Sequence, residues 1–231
     1  MSDIVCVATI LLAGLAQASL QLGLGGLILL YHNSLGRHRR RRTSYLARNY
    51  ILGTGAITFL VVAAFCFLIG NFFNGALTTE WLVIALGALG ACAIVMWLLY
   101  YRRGKGSTEL WLPKSITRFI RKKARQTNDG VEAFSLGLLS SFAEMPISIA
   151  LFFVVANAIL NLSSAWQVLG VVAYTLISII PMVILQFRIQ AGRTAVEAQQ
   201  WRLKNKAFLK IISGSSFLTL ALFVAAFWIM K

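Results

Sequence analysis

A chain of 231 residues that is 58% hydrophobic and only 13% charged has too few polar side chains to solvate a globular surface. Its mean hydropathy is positive, so composition excludes an ordinary soluble domain and points to the membrane. The net charge of +15 is gathered into links between apolar segments and not spread over one face, which argues against nucleic acid and for anionic lipid headgroups as partners.

Six apolar segments follow one another, at about 4–30, 50–70, 81–101, 132–156, 165–187 and 208–230. Each is long enough to cross a bilayer of about 30 Å as an α-helix, and the expected fold is an all-α polytopic membrane protein. The first segment has only Asp3 before it and a dense basic tract behind it. It reads as a retained span and not as a cleaved leader. Within it Gln17 and Gln21 lie four residues apart and share a face with Gly14 and Gly25, a polar stripe in apolar sequence. Gly23, Gly25 and Gly26 weaken helix continuity there. They serve either close packing or a local break that frees backbone groups for a ligand.

The second segment carries Gly53, Thr54, Gly55 and Thr58 in its early turns, a pattern of small-residue helix packing with a ligand-lining role as the alternative. The third, with Gly87, Gly90 and Ala91, is scaffold. Between Gly104 and Gly130, Leu112, Ile116, Phe119 and Ile120 recur at helical spacing opposite Lys114, Arg118, Arg121, Lys122 and Arg125. This predicts a basic amphipathic helix in the inner interface, anchored by Trp111.

The fourth segment holds Glu144, the one acidic residue in the middle of an apolar run. A carboxylate at that depth is costly and is by default a functional-site hypothesis. Helical spacing puts Gly137, Ser141, Glu144 and Ser148 on one narrow face, and Phe142, Ile149, Phe152 and Phe153 on apolar surfaces. Ser140 adjoins the same face, and Pro146, which lacks an N–H and crowds the Phe142 carbonyl, predicts a kink or break beside the charge. The competing structural reading makes Glu144 a hydrogen-bond lock between two helices. The fifth segment contains Pro181. The sixth is aromatic with a few hydroxyls able to bond back to their own helix.

Lys and Arg fill the links 37–48, 102–125 and 188–206 and are absent from 71–80 and 157–164. The positive-inside rule then places both termini outside and the basic links in the cytoplasm. Three spans per half invert the second half relative to the first, giving a 3+3 inverted repeat: 1–103, an amphipathic linker at 104–130, and 131–231. The polar stripes occupy the first helix of each half, where inverted-repeat transporters build their sites.

The spans as three plus three, with external termini and polar or Gly/Pro-containing first and fourth helices, resemble the superfamily of small exporters named after the lysine exporter. The opening from Gly14 to Asn33 and the basic tract after it are similar in layout to that family's first helix and inner loop. The resemblance implies the fold and an export activity toward amino acids or cations, with an electron-carrying branch among the relatives. The chain departs from it in three places. Gly23-Leu24-Gly25-Gly26 stands where the amino-acid exporters carry Gly-Pro-x-Asn, Glu144 has no second carboxylate beside it, and Cys6, Cys66 and Cys92 are not paired in sequence.

The resulting expectation is a secondary transporter or exporter of a small solute, with cations among the candidates, in the bacterial cytoplasmic membrane. Ser140, Ser141, Glu144, Gln17 and Gln21 form its substrate and coupling site, Glu144 exchanges the proton, and Pro146 and Gly23, Gly25 and Gly26 supply helix breaks. The alternative is a non-transporting partner subunit or lipid-associated factor. A second copy of the chain is one candidate partner. No catalytic set, metal-ligand spacing or cofactor motif is present in the sequence.

Overall fold

The computed structural model describes residues 3–20, 22–32, 37–73, 77–99, 122–124, 127, 129–191 and 194–229. Its helices in chain order are α1 (Asp3–Leu20), α2 (Leu22–His32), α3 (Arg37–Phe72), α4 (Thr79–Leu99), α5 (Gly130–Leu160), α6 (Ser164–Gln190), α7 (Ala195–Lys204) and α8 (Lys206–Val224), the last running into a π-helical turn at Ala225–Ile229. Six stretches among them are long and apolar enough to cross a membrane: Asp3–Leu20, Arg42–Phe72, Thr79–Leu98, Gly130–Leu160, Ser164–Gln190 and Lys206–Ile229. Their outward faces carry exposed Phe67, Phe72, Val131, Val168 and Phe187, apolar surface that lipid tolerates and water does not. The chain is an all-α, polytopic integral membrane protein.

Local sequence explains where these helices depart from the expected segments. The first segment is described as two helices on either side of Gln21, which itself lies outside the described residues. Gly23, Gly25 and Gly26 fall inside α2, and Pro146 falls inside α5, so none of the four expected breaks ends a helix. A proline removes one N–H, and neighbouring helices can restrain the rest of the turn. The basic tract is not a loop but the first turns of α3, because nothing between Arg37 and Leu52 is Gly or Pro and Arg, Ala and Leu are good helix formers. In the third basic link, α7 starts at an N-cap in which the Thr194 side chain accepts from the Glu197 N–H at 3.2 Å, with Arg202 and Lys204 in its last turn. The expected amphipathic helix with Trp111, Leu112, Ile116, Phe119 and Ile120 lies outside the described residues.

Among the described residues the most extensive helix contact is that of α3 with α5. Gly53 faces the Phe134 carbonyl, and Gly137 faces the Tyr50 carbonyl and the Thr54 N–H, so tightly that a Cβ has no room at either glycine. Two missing side chains thus let the backbones touch, the packing that small residues permit in membranes. Elsewhere the Ser213 hydroxyl donates to the Ser19 carbonyl at 2.8 Å and Trp228 Nε1 donates to Thr9 Oγ1 at 3.1 Å, tying α8 and its π turn to α1. Asn157 of α5, buried, accepts from the Leu77 N–H at 2.8 Å just ahead of α4.

The packing has a reciprocal pattern. α1 packs on α6 and α8, while α5 packs on α3 and α4; α1 also meets α5, α3 meets α6, and α4 meets α8. The first and fourth spans therefore sit innermost, where their polar residues are shielded from lipid.

Candidate functional site

On α5, Gly137, Ser140, Glu144 and Ser148 are buried and Ser141 is half-buried, while Phe142 and Ile149 face outward. Glu144 is only 6% exposed. Phe152, expected on an apolar surface, is buried too, edge-on to Tyr174 at 6.4 Å and tilted against Phe65 at 5.7 Å. This follows from the inner position of α5, which has neighbours on more than one side.

Glu144 opens onto a cavity whose polar lining is Gln17 of α1, Thr54 and Thr58 of α3, Ser141 and Glu144 of α5, and Ser178 of α6. Ala18, Leu24, Pro181 and Met182 complete the wall. The space is enough for a water-sized guest. Thr54, Glu144 and Ser178 lie near the midpoints of α3, α5 and α6, and Gln17 lies near the middle of the stretch that α1 and α2 span together. The cavity is therefore at mid-depth in the bundle.

Three of the hydroxyls have already spent their protons. Thr54 Oγ1 donates to the Tyr50 carbonyl at 3.1 Å, Thr58 Oγ1 to the Thr54 carbonyl at 2.9 Å, and Ser178 Oγ to the Thr175 carbonyl at 2.8 Å. Such back-bonding within a helix satisfies the donor and leaves lone pairs for a guest. Gln17 Oε1 and Ser141 Oγ are buried and have no hydrogen-bond partner among the described residues. An unmet buried polar atom costs about 1–3 kcal/mol, so these two oxygens are held in the cavity wall at a cost to stability.

A second layer stands behind the carboxylate. Tyr50, fully buried, is hydrogen-bonded to Ser140 and lies within electrostatic range of Glu144. Tyr174 of α6, also fully buried, lies within electrostatic range of Glu144, and its hydroxyl, like Ser148 Oγ, lacks a partner among the described residues. Gly26 of α2 packs directly on the Tyr50 hydroxyl, which gives that glycine a packing reason inside a helix.

Of the residues singled out from sequence, Gln17, Ser141 and Glu144 share this cavity, and Ser140 stands behind it on Tyr50. Gln21 lies outside the described residues. Sequence reasoning gave Thr54 and Thr58 mainly a packing role and passed over Ser178, Tyr50 and Tyr174. The usable signals were the four-residue spacing of the two threonines and the position of Ser178 one turn before Pro181.

The match to a known family covers nearly the whole bundle: the model of the cytochrome c biogenesis protein transmembrane region aligns with residues 9–224. The chain belongs to that family. No curated protein and no solved structure matches it. The likeness to the lysine-exporter superfamily is thereby corrected. It rested on span count, the charge alternation that sets the termini, and the layout of the first and fourth helices, features of topology and not of a specific motif. In this member of the cytochrome c biogenesis transmembrane family the three cysteines are free thiols on α1, α3 and α4, and none lines the cavity. Cys66 Sγ approaches the Ala156 carbonyl at 4.0 Å and Cys92 Sγ the Ile147 carbonyl at 3.6 Å. The polar lining of the cavity consists of hydroxyls, one amide and one carboxyl group. Among the described residues no group of three or more His, Cys, Asp or Glu is placed to hold a metal.

Proposed function

We propose that this integral membrane protein is a secondary transporter of a small solute in the bacterial cytoplasmic membrane, with Glu144 as the group that exchanges a proton during transport. The observation that carries the reading is the mid-depth cavity, in which four spans converge polar side chains on a single carboxyl group. A polar, partly unsatisfied pocket adds nothing to the stability of a bundle; an apolar one would serve packing better.

We further propose the 3+3 inverted repeat with external termini, its halves at 1–103 and 131–231 and the basic linker at 104–130 facing anionic lipid. The reciprocal packing supports it, since exchanging the first three spans for the last three maps α1 on α6 and α8 onto α5 on α3 and α4. In such folds the site lies between the repeats and each side opens in turn.

Reconstitution tests the reading. Proteoliposomes loaded with a pH-sensitive dye are expected to show solute-dependent proton movement that Glu144→Gln abolishes. Equal movement with Glu144→Gln would remove the proposed coupling role. The family match supports a second reading, a non-transporting membrane component of cytochrome c biogenesis. Inert liposomes together with stoichiometric co-purification of a partner protein would favour that one.

A further inference from the structure

Two buried oxygens of the cavity wall, both without a hydrogen-bond partner among the described residues, require opposite things of a partner. Gln17 Oε1 of α1 offers only lone pairs, so whatever satisfies it must donate. Ser141 Oγ of α5 carries a proton that, unlike those of Thr54, Thr58 and Ser178, is not bonded back to its own helix. Whatever takes that proton must accept.

Both oxygens line the same cavity, so a single guest meets both needs only if it donates and accepts. A metal ion cannot accept a hydrogen bond, a simple anion cannot donate one, and an apolar molecule does neither. Water does both. The cavity volume of about 20 Å³ exceeds the roughly 10–15 Å³ that one water needs and leaves no space for an organic solute. A buried water makes about three hydrogen bonds. Gln17 Oε1 and Ser141 Oγ supply two, and the hydroxyl oxygens of Thr54, Thr58 and Ser178 on the same wall keep lone pairs for a third. Two unmet buried oxygens cost the fold more than immobilising one water does.

We propose that this cavity is an ordered-water site, in which one water donates to Gln17 Oε1, accepts from the Ser141 hydroxyl and so joins α1 to α5. The site brings water to mid-depth in the bundle, on the wall that also carries Glu144. It depends neither on the ionisation of Glu144 nor on the transport reading, because a water link between two spans serves a non-transporting component equally well.

The test is X-ray radiolytic footprinting of the purified full-length protein. A short pulse splits bound water into hydroxyl radicals that oxidise the side chains beside it, and mass spectrometry reads the products, methionine sulfoxide foremost. Two methionines make an internal comparison. Met182 of α6 lines the cavity, while Met96 of α4 belongs to the apolar core and does not; at 6% and 1% exposed, both are shielded from bulk solvent. Met182 is expected to oxidise several-fold faster than Met96. The double variant Gln17→Leu with Ser141→Ala removes both anchors of the water, and its Met182 rate should fall several-fold. Ser141→Ala alone, smaller by one oxygen, carries the same comparison if the double variant does not fold. Oxidation of Met182 no faster than that of Met96 in the unmodified protein would show a dry cavity and overturn the inference. A Met182 rate that is high in the unmodified protein and unchanged in the variants would mean that other groups or bulk solvent supply the water, and would overturn it as well.

Discussion

Gly137 of α5 lies against the backbone carbonyl of Tyr50 in α3 with no room for a side chain between them. Because Glu144 lies two turns along α5 from Gly137, and Thr54 and Thr58 lie one and two turns along α3 from Tyr50, this contact sets the spacing of the cavity walls. The weak second bond of Thr54 Oγ1, to the Gly137 carbonyl at 3.5 Å, belongs to the same contact.

Gly137→Ala should therefore act on both stability and site. Over-packing at a closed contact costs about 1–3 kcal/mol, read as a lower unfolding midpoint. The helices must also part, so Glu144-dependent flux should fall even though no lining residue has changed. Unaltered stability in Gly137→Ala would mean that α3 and α5 do not touch there.

At the other end of α5, the Asn157 side chain accepts from the Leu77 N–H at 2.8 Å, and both residues are buried. Asn157→Ala strands that donor, at a cost of about 1–3 kcal/mol. The cavity lies more than three turns away along α5, so the transport rate per folded molecule should stay at the level of the unmodified protein. A variant that folds as well as the parent would disprove the capping role.

How much of this was readable beforehand depended on how loudly each residue speaks. A glutamate in an apolar run has few bland explanations, and Glu144 led to α5 and its inward face directly. Hydroxyls are quieter. Thr54, Thr58 and Ser178 bond their own helices as any membrane hydroxyl does, and only the fold brings them around the carboxylate. Tyr50 stands at the start of an apolar segment, where tyrosine is ordinary as an interfacial anchor, yet α3 begins at Arg37 and places Tyr50 well inside the helix and fully buried. The helix start was misjudged because a run of arginines was read as a loop, although arginine is compatible with helix and its long side chain can reach the headgroups. The family was hidden for another reason: hydropathy and charge constrain topology, and many families share one topology.

Orientation can be tested independently of function. With the three native cysteines replaced, single cysteines introduced within 37–48, 102–125 and 188–206 should resist an impermeant thiol reagent applied to intact cells and react after the membrane is opened. Those near 74–76 and 161–163 should react from outside, because these links lack Lys and Arg. Labelling of 102–125 in intact cells would invert the topology and with it the direction assigned to proton movement.

Tyr174 offers the most discriminating substitution. Its ring is fully buried and packs edge-on against Phe152, while the residue lies within electrostatic range of Glu144 and its hydroxyl lacks a hydrogen-bond partner among the described residues. Removing an unsatisfied buried hydroxyl relieves a cost of about 1–3 kcal/mol, and phenylalanine keeps the ring contact. Tyr174→Phe is therefore expected to hold or raise the unfolding midpoint. If the hydroxyl helps to solvate Glu144 or its guest when the cavity opens, the same change should slow Glu144-dependent flux. Stability gained together with transport lost is the pattern of a residue kept for activity and not for packing. A Tyr174→Phe protein destabilised by more than about 1 kcal/mol would indicate that the hydroxyl has a structural partner, and one that transports normally would confine the working site to Gln17, Ser141 and Glu144.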